Sequence, residues 1–307
     1  MTATLRHDAL LYAGERDYLD GVLPFVRSGI ETGEPVFVAV PEPRMRLLQA
    51  GLDGASDAVR FADMQTLGRN PGRIIPAVAA FLAEYPDAPA RFVGEPIWGG
   101  RSAAEIDEAT RHEALLNLAF GDFDVHILCP YDTTALHAGV IAHAEHTHPD
   151  IADRDRRWRS ARYTDPVAFC AADDWALPSP PADAVIDERP VQHLGWLREH
   201  ARAKAEAAGL DAHRVDDVLI AVNELCTNTI RHGGAGVLRT WLEPRALVCE
   251  VRDRGRITDP LAGRSRAALD ASHGRGLYLV NQLADLVQLR SSETGSTVRL
   301  HFTRGGT

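Results

Sequence analysis

Through the first 150 residues, short apolar runs alternate with longer stretches of helical spacing. Leu10-Leu11-Tyr12, residues 35–40, Val59-Arg60-Phe61, residues 90–93 and residues 125–129 read as buried-type strands. Between them, residues 18–30, 44–52, 73–85 and 102–121 repeat apolar positions every three to four residues, as in Leu19, Val22, Leu23, Val26 and Ile30. Continuously apolar strands separated by helices predict a parallel sheet covered on both faces, here of about five strand-helix units. Residues 176–183, A-L-P-S-P-P-A-D, break the pattern and read as a stiff, extended linker. The spacing of residues 191–208 then predicts the first helix of a second domain.

A second helix begins near Asp211. At 100° per residue, Val215, Val218, Leu219, Val222, Leu225, Cys226 and Ile230 share one side, and Asp217, Glu224, Asn228 and Arg231 share the other. Glu224 and Asn228 are four apart and project the same way from successive turns. A carboxylate there can take a proton from a hydroxyl or water, and an amide oxygen is a hard ligand suited to Mg²⁺. Alternation over residues 240–251 predicts one or two strands leading to Asp253-Arg254-Gly255. About twenty residues without periodicity follow. Gly274-Arg275-Gly276 then opens an apolar helix over 277–287, and residues 295–302 read as a turn and closing strand.

Composition narrows the class. The 307 residues suffice for two domains, and 45% hydrophobic with 25% charged residues is ordinary for a globular chain. No apolar run approaches bilayer length, and the first residues lack an apolar signal core, which predicts a cytoplasmic location with no membrane partner. The four cysteines are scattered and are expected to be reduced and buried, forming neither disulfides nor a zinc site. Residues 186–307 carry 17 basic and 15 acidic groups; residues 1–185 carry 16 and 28. The acidic first half argues against direct nucleic-acid binding.

An acid on a helix, an Asp at a strand end, a glycine pair at a helix start and a Gly-Ser-Thr strand occur in that order over residues 186–304. This arrangement resembles the GHKL (Bergerat-fold) ATPases and implies a C-terminal α/β sandwich that binds ATP and Mg²⁺. The resemblance makes Glu224 the general base, Asn228 the Mg²⁺ ligand and Asp253 the acceptor for the adenine amino group. It makes Gly255 a point of close backbone approach, Gly274 and Gly276 the second glycine box, and Thr297 the residue behind the adenine. Residues 258–273 would form a lid bearing Arg264 and Arg266. The chain departs from the D-x-G-x-G box at Ile257, where a β-branched residue replaces glycine and puts backbone freedom, and with it turnover, in question. Within the superfamily, A-V-N-E-L-C-T-N-T-I-R-H-G most resembles the anti-sigma factor serine kinases. That likeness implies a sigma factor and an antagonist protein as partners, with a homodimer left open. Two alternatives remain: a non-catalytic, nucleotide-dependent anti-sigma module, and an atypical sensor histidine kinase.

The first half is similar to the MEDS sensory domain, through H-D-A-L-L-Y, R-F-V-G-E-P-I-W, E-A-L-L-N and C-P-Y-D. That domain implies a RecA-like parallel sheet and a small-molecule signal. The organisation expected is 1–165 sensory, 166–185 linker and 186–307 ATPase-like. Strand ends nominate Tyr12, Glu95 and Trp98 as a sensory pocket, with Trp98 closing the core as the plainer alternative. His137, His143, His146 and His148 crowd one short segment; His143 and His146 have a chelating spacing, but no carboxylate or cysteine cluster joins them in sequence, and the segment reads as an exposed, partly helical exit. Residues 154–162 read as a solvated basic connector. A phosphate loop needs lysine, and the only lysine is Lys204. The first half is therefore expected to lack phosphate-loop ATPase activity; Mg²⁺-dependent hydrolysis by a 1–170 fragment would contradict this.

Overall fold

The structure, a computed structural model, describes residues 4–172, 175–265 and 275–305. They fall into two compact units that divide at Ala172–Asp173.

The first unit is built on a seven-stranded sheet of order β3-β2-β4-β5-β1-β6-β7. Its strands are β1 (Arg6–Tyr12), β2 (Val36–Val40), β3 (Val59–Asp63), β4 (Ala90–Gly94), β5 (Val125–Asp132), β6 (Asp150–Ala152) and β7 (Arg157–Arg159). All pair in parallel except β6 with β7. Helices α1 (Gly14–Thr32), α2 (Glu42–Gly51), α3 (Met64–Leu67), α4 (Ile74–Leu82), α5 (Ala103–Ala119), α6 (Ala138–Thr147) and α7 (Pro166–Ala171) make the connections. β2 is buried at every position, as a strand covered on both faces must be. Val22 and Val26 of α1 pack with Val36, Val38 and Val40 in one apolar cluster. Burying each such side chain contributes about 1.5–3 kcal/mol.

Two expectations need correction here. Residues 154–162 are not merely a solvated connector: Arg157–Arg159 form β7, and Arg157 Nη2 donates to Asp8 Oδ1 at 2.7 Å. His148 is not exposed, since its side chain is fully buried. The His143 and His146 rings both pack on Phe169 of α7, and the His146 Nδ1 lies 3.1 Å from the Thr164 hydroxyl. The packing of α7 on α5 ties residues 166–171 to the first unit rather than to a linker.

The second unit is an antiparallel five-stranded sheet of order β11-β12-β10-β9-β8, with three α-helices among its described residues. The strands are β8 (Asp187–Pro190), β9 (Gly236–Glu243), β10 (Ala246–Asp253), β11 (Leu286–Ser292) and β12 (Gly295–Thr303); the helices are α8 (Leu194–Ala207), α9 (Ala212–Asn228) and α10 (Arg275–Leu283). Asp211 caps α9 by accepting from Arg214 N–H at 2.9 Å. Val215, Val218, Val222, Leu225 and Cys226 then face Leu247, Cys249, Leu300 and Phe302 in one core. The opposite side of the sheet carries charge. Glu250 is fully buried and accepts from Arg239 and Arg299 on the two flanking strands and from Arg252 on its own. Burial pushes the Glu250 carboxyl up, but Arg299 and Arg252 together hold it below its usual range. Arg299 also donates to Pro178 O, and Arg290 to Trp175 O, so the start of the Pro-rich stretch lies on the second unit rather than hanging free.

The polar side of α9 differs from expectation at its ends. Asp217 is buried and pairs with Arg214, which also reaches Asp285 Oδ2 at 2.6 Å. It therefore fastens α9 to the turn before β11 and does not belong with Glu224 and Asn228. Ile230 is 44% exposed instead of joining the core. After Asn228 the backbone widens into a π-helical turn, Thr229–Gly233, and the 100° phase no longer holds.

Candidate nucleotide site

β10 ends at Asp253, which pairs across the sheet with Gly236 of β9 and Ser296 of β12. Its carboxylate is held on both sides: Oδ1 accepts from Gly255 N–H at 2.8 Å, and Oδ2 accepts from the Thr229 hydroxyl at 2.6 Å. A carboxylate has about four lone-pair sites, so capacity remains for another donor. The π-helical turn brings Gly233 directly against this group. A Cβ at Gly233 would sit 2.6 Å from Asp253 Oδ2, which only glycine avoids. Gly233→Ala is expected to cost about 1–3 kcal/mol of stability by overpacking and to lower ATP affinity about tenfold or more by displacing the carboxylate. Circular dichroism and calorimetry on the same sample check both.

The loop after Asp253 is pinned by serines. The Ser296 hydroxyl donates to Gly255 O at 2.7 Å and lies 2.9 Å from Ser291 Oγ, which accepts from Ile257 N–H at 2.9 Å. Among the described non-glycine residues, only Asp53 has a positive φ. Ile257 thus occupies the second glycine position in a backbone conformation open to β-branched residues.

A cavity of about 240 Å³ opens beside Asp253. Leu225, Val251, Ile257, Leu277 and Val298 supply its apolar lining, and Asn228, Thr229, His232, Asp253, Arg256 and Ser296 its polar groups. An apolar slot with a few fixed polar groups suits a flat heteroaromatic ring. Glu224 and Asn228 both face Gly276 at the start of α10: a Cβ there would lie 2.7 Å from Glu224 Oε2 and 3.3 Å from Asn228 Nδ2. The absence of a side chain at Gly276 lets Glu224 and Asn228 pack against the first turn of α10, where the helix dipole favours negative charge.

Of the residues expected from sequence, the structure therefore brings together Glu224, Asn228, Asp253, Gly255 and Gly276. Gly274 and Arg266 lie outside the described residues. Arg264 is buried, next to Gly263, whose carbonyl accepts from Asn281 Nδ2 of α10. Thr297 is corrected. It pairs with Arg252 and Arg290, one position out of phase with Asp253, so Ser296 and Val298 line the cavity instead. Ser296, Thr229 and Gly233 were missed by sequence reading; the T-N-T-I-R-H-G run contains two of them, but their contact with Asp253 depends on the π-helical turn.

In the first unit, Tyr12 and Glu95 meet at the ends of β1 and β4, the two strands that flank β5. Tyr12 donates to Glu95 Oε1 at 2.8 Å, and both are buried. Trp98 stacks under the Arg101 guanidinium at 4.2 Å. Arg44 lies over the Tyr12 and Tyr18 rings and pairs with Asp132. Burial pushes the Glu95 carboxyl up to about 8. Its protonated form is the one the fold favours, so its contribution is full below the unfolded value near 4.5 and is lost as pH rises through 8. The first unit should lose stability on the order of 3–5 kcal/mol between pH 5 and pH 9, and Glu95→Gln should flatten that profile. Thermal melts of the two proteins across this range test it.

Comparison with known families agrees with this geometry. Residues 6–149 match the family described as MEDS, the MEthanogen/methylotroph, DcmR Sensory domain. Residues 188–302 match the histidine kinase-like ATPase domain. The chain carries a MEDS domain and a histidine kinase-like ATPase domain. The RsbU and RsbW domains of a Mycobacterium tuberculosis protein are similar at 18% identity, with a TM-score of 0.30, over 41% of this chain and 34% of that one. The chain thus spans about a third of the length of that structure. A search of curated proteins found no match. An ATPase domain of this type implies ATP binding, ordinarily with Mg²⁺, and a MEDS domain implies a sensory role. Among the described residues, no helix is long and apolar enough to cross a membrane.

Proposed function

We propose that the second domain is an ATP-dependent protein serine/threonine kinase that also binds a sigma factor, and that the MEDS domain controls it in response to a small molecule. The observation that carries this reading is the convergence of Glu224 and Asn228 on Gly276, beside the cavity that Asp253 also lines. ATP supplies the phosphoryl group, and Mg²⁺ offsets its negative charge. Asp253 would accept from the adenine amino group, and Ser296 and Thr229 keep the surrounding loop and carboxylate in place. The Asn228 amide oxygen is a hard donor for the cation. The Glu224 carboxylate, on the same side of the helix, would align the incoming hydroxyl and take its proton. Glycine at 233 lets Asp253, and glycine at 276 lets Glu224 and Asn228, approach the backbone more closely than a Cβ would allow.

The test is incubation of the full chain with labelled ATP, Mg²⁺ and candidate antagonist proteins. Transfer of label to a serine or threonine supports the kinase. Sequestration of a sigma factor without any transfer favours the non-catalytic module, and label retained on a histidine of the chain itself favours the sensor histidine kinase.

A further inference from the structure

Four side chains meet in the interior of the first unit: His7 of β1, Glu113 of α5, Cys129 of β5, and His148 just after α6. All are buried, and their candidate donor atoms lie within 4.8 Å of one another. His7 Nε2 is 3.3 Å from Glu113 Oε2 and 3.4 Å from Cys129 Sγ; Cys129 Sγ is 3.2 Å and His148 Nε2 3.4 Å from the same Glu113 oxygen. Metal–nitrogen, metal–oxygen and metal–sulfur bonds of about 2.0–2.3 Å at tetrahedral angles place donors roughly 3.3–3.8 Å apart. Four of the six donor pairs already stand 3.2–3.4 Å apart.

Its hydrogen bonding is unusual for a polar cluster that is complete by itself. Glu113 Oε1 is buried with no hydrogen-bond partner, and His148 Nε2 makes no hydrogen bond beyond its 3.4 Å approach to Glu113 Oε2. The other imidazole nitrogens are engaged. His7 Nδ1 lies 3.1 Å from Asn117 Oδ1, and Asn117 is oriented by donating its Nδ2 to Thr147 O at 2.8 Å. His148 Nδ1 lies 3.0 Å from Ala144 O. With Nδ1 of each ring engaged by these outer partners, Nε2 of both rings is aimed into the cluster. Two imidazole nitrogens, a carboxylate and a thiol then face one another in a buried space. A cation satisfies this arrangement. The fixed outer partners of both imidazoles are also those expected around metal-bound histidines.

We propose that His7, Glu113, Cys129 and His148 form a closed site for one divalent transition cation of the zinc class, which joins β1, β5, α5 and the end of α6. Two neutral imidazoles, one carboxylate and one thiolate balance a 2+ charge in a buried place. Binding forms a metal–sulfur bond as the Cys129 S–H bond breaks, and the proton leaves to buffer; no oxidation state changes. Imidazole and thiolate donors favour Zn²⁺ over Mg²⁺ or Ca²⁺, which prefer all-oxygen sets. The site is separate from the nucleotide cavity and from Glu95.

The test uses the full chain, stripped with chelator and titrated with Co²⁺ and then Zn²⁺. One equivalent of Co²⁺ should give tetrahedral ligand-field bands with a thiolate-to-cobalt charge-transfer band, and Zn²⁺ should bleach both. Cys129→Ala should abolish the charge-transfer band, and Asn117→Ala should weaken binding about 10–100-fold. If Cys129→Ala fails to fold by circular dichroism, the wild type still decides: Zn²⁺ must slow alkylation of Cys129, located by peptide mapping. The proposal is overturned if the folded wild type takes up no Co²⁺. It is equally overturned if the charge-transfer band survives in Cys129→Ala, or if Zn²⁺ leaves Cys129 alkylation unchanged.

Discussion

Glu224→Gln is expected to retain ATP and sigma-factor binding while losing roughly 10²–10⁴-fold in phosphorylation rate, the usual scale of general-base catalysis. Glutamine keeps the shape of the side chain and its place opposite Gly276. It removes the charge that takes the hydroxyl proton. Phosphoryl transfer depends mainly on positioning and electrostatics, so the loss should appear in the chemical step rather than in nucleotide affinity. Single-turnover transfer to the antagonist protein, compared with wild type at equal nucleotide occupancy, reads this directly. Equal rates would make Glu224 part of a polar helix face and no more.

Much of this site was legible in the sequence because it is local. The pair Glu224 and Asn228 needs only helical periodicity to be placed on one side of α9, and both do face Gly276. Asp253 needs only the end of an alternating strand. The absence of lysine from the first half needs no structure at all. Long-range features were not legible. Thr297 and Ser296 differ by one residue, and which of them faces Asp253 is fixed by the phase of the β11–β12 turn, where Gly295 has φ +140°. Ile230 moved out of the core because a π-helical turn interrupts the periodicity that placed it. Strands of three residues, such as β6 and β7, carry too little pattern to be distinguished from a connector.

The buried quartet shows the same limit most clearly. Its members stand in H-D-A-L-L-Y, E-A-L-L-N, C-P-Y-D and T-H-P, each a noticeable local run. Sequence spacing could not join them, because the parallel pairing of β1 with β5 and the return of α6 beside α5 are what bring them together. The histidine pair that spacing did suggest, His143 and His146, instead packs against an aromatic ring.

The central claim is that the cavity beside Asp253 holds the adenine of ATP. Asp253 is fixed from two sides by Thr229 and Gly255 N–H, so its carboxylate meets a ligand without reorganising. Asp253→Asn keeps the size of the group but replaces one acceptor oxygen with a donor, which opposes an incoming amino group and disturbs the Thr229 or Gly255 contact. A charge-assisted hydrogen bond of this kind contributes about 1–3 kcal/mol, so ATP affinity should fall roughly 5- to 150-fold. The decisive measurement is calorimetric titration of the full-length wild type and the Asp253→Asn variant with ATP and Mg²⁺, alongside circular dichroism. One-to-one binding by the wild type that weakens by this factor in a folded variant is the result predicted. No binding by the wild type, or equal affinity in the two proteins, would contradict the assignment of this cavity to ATP.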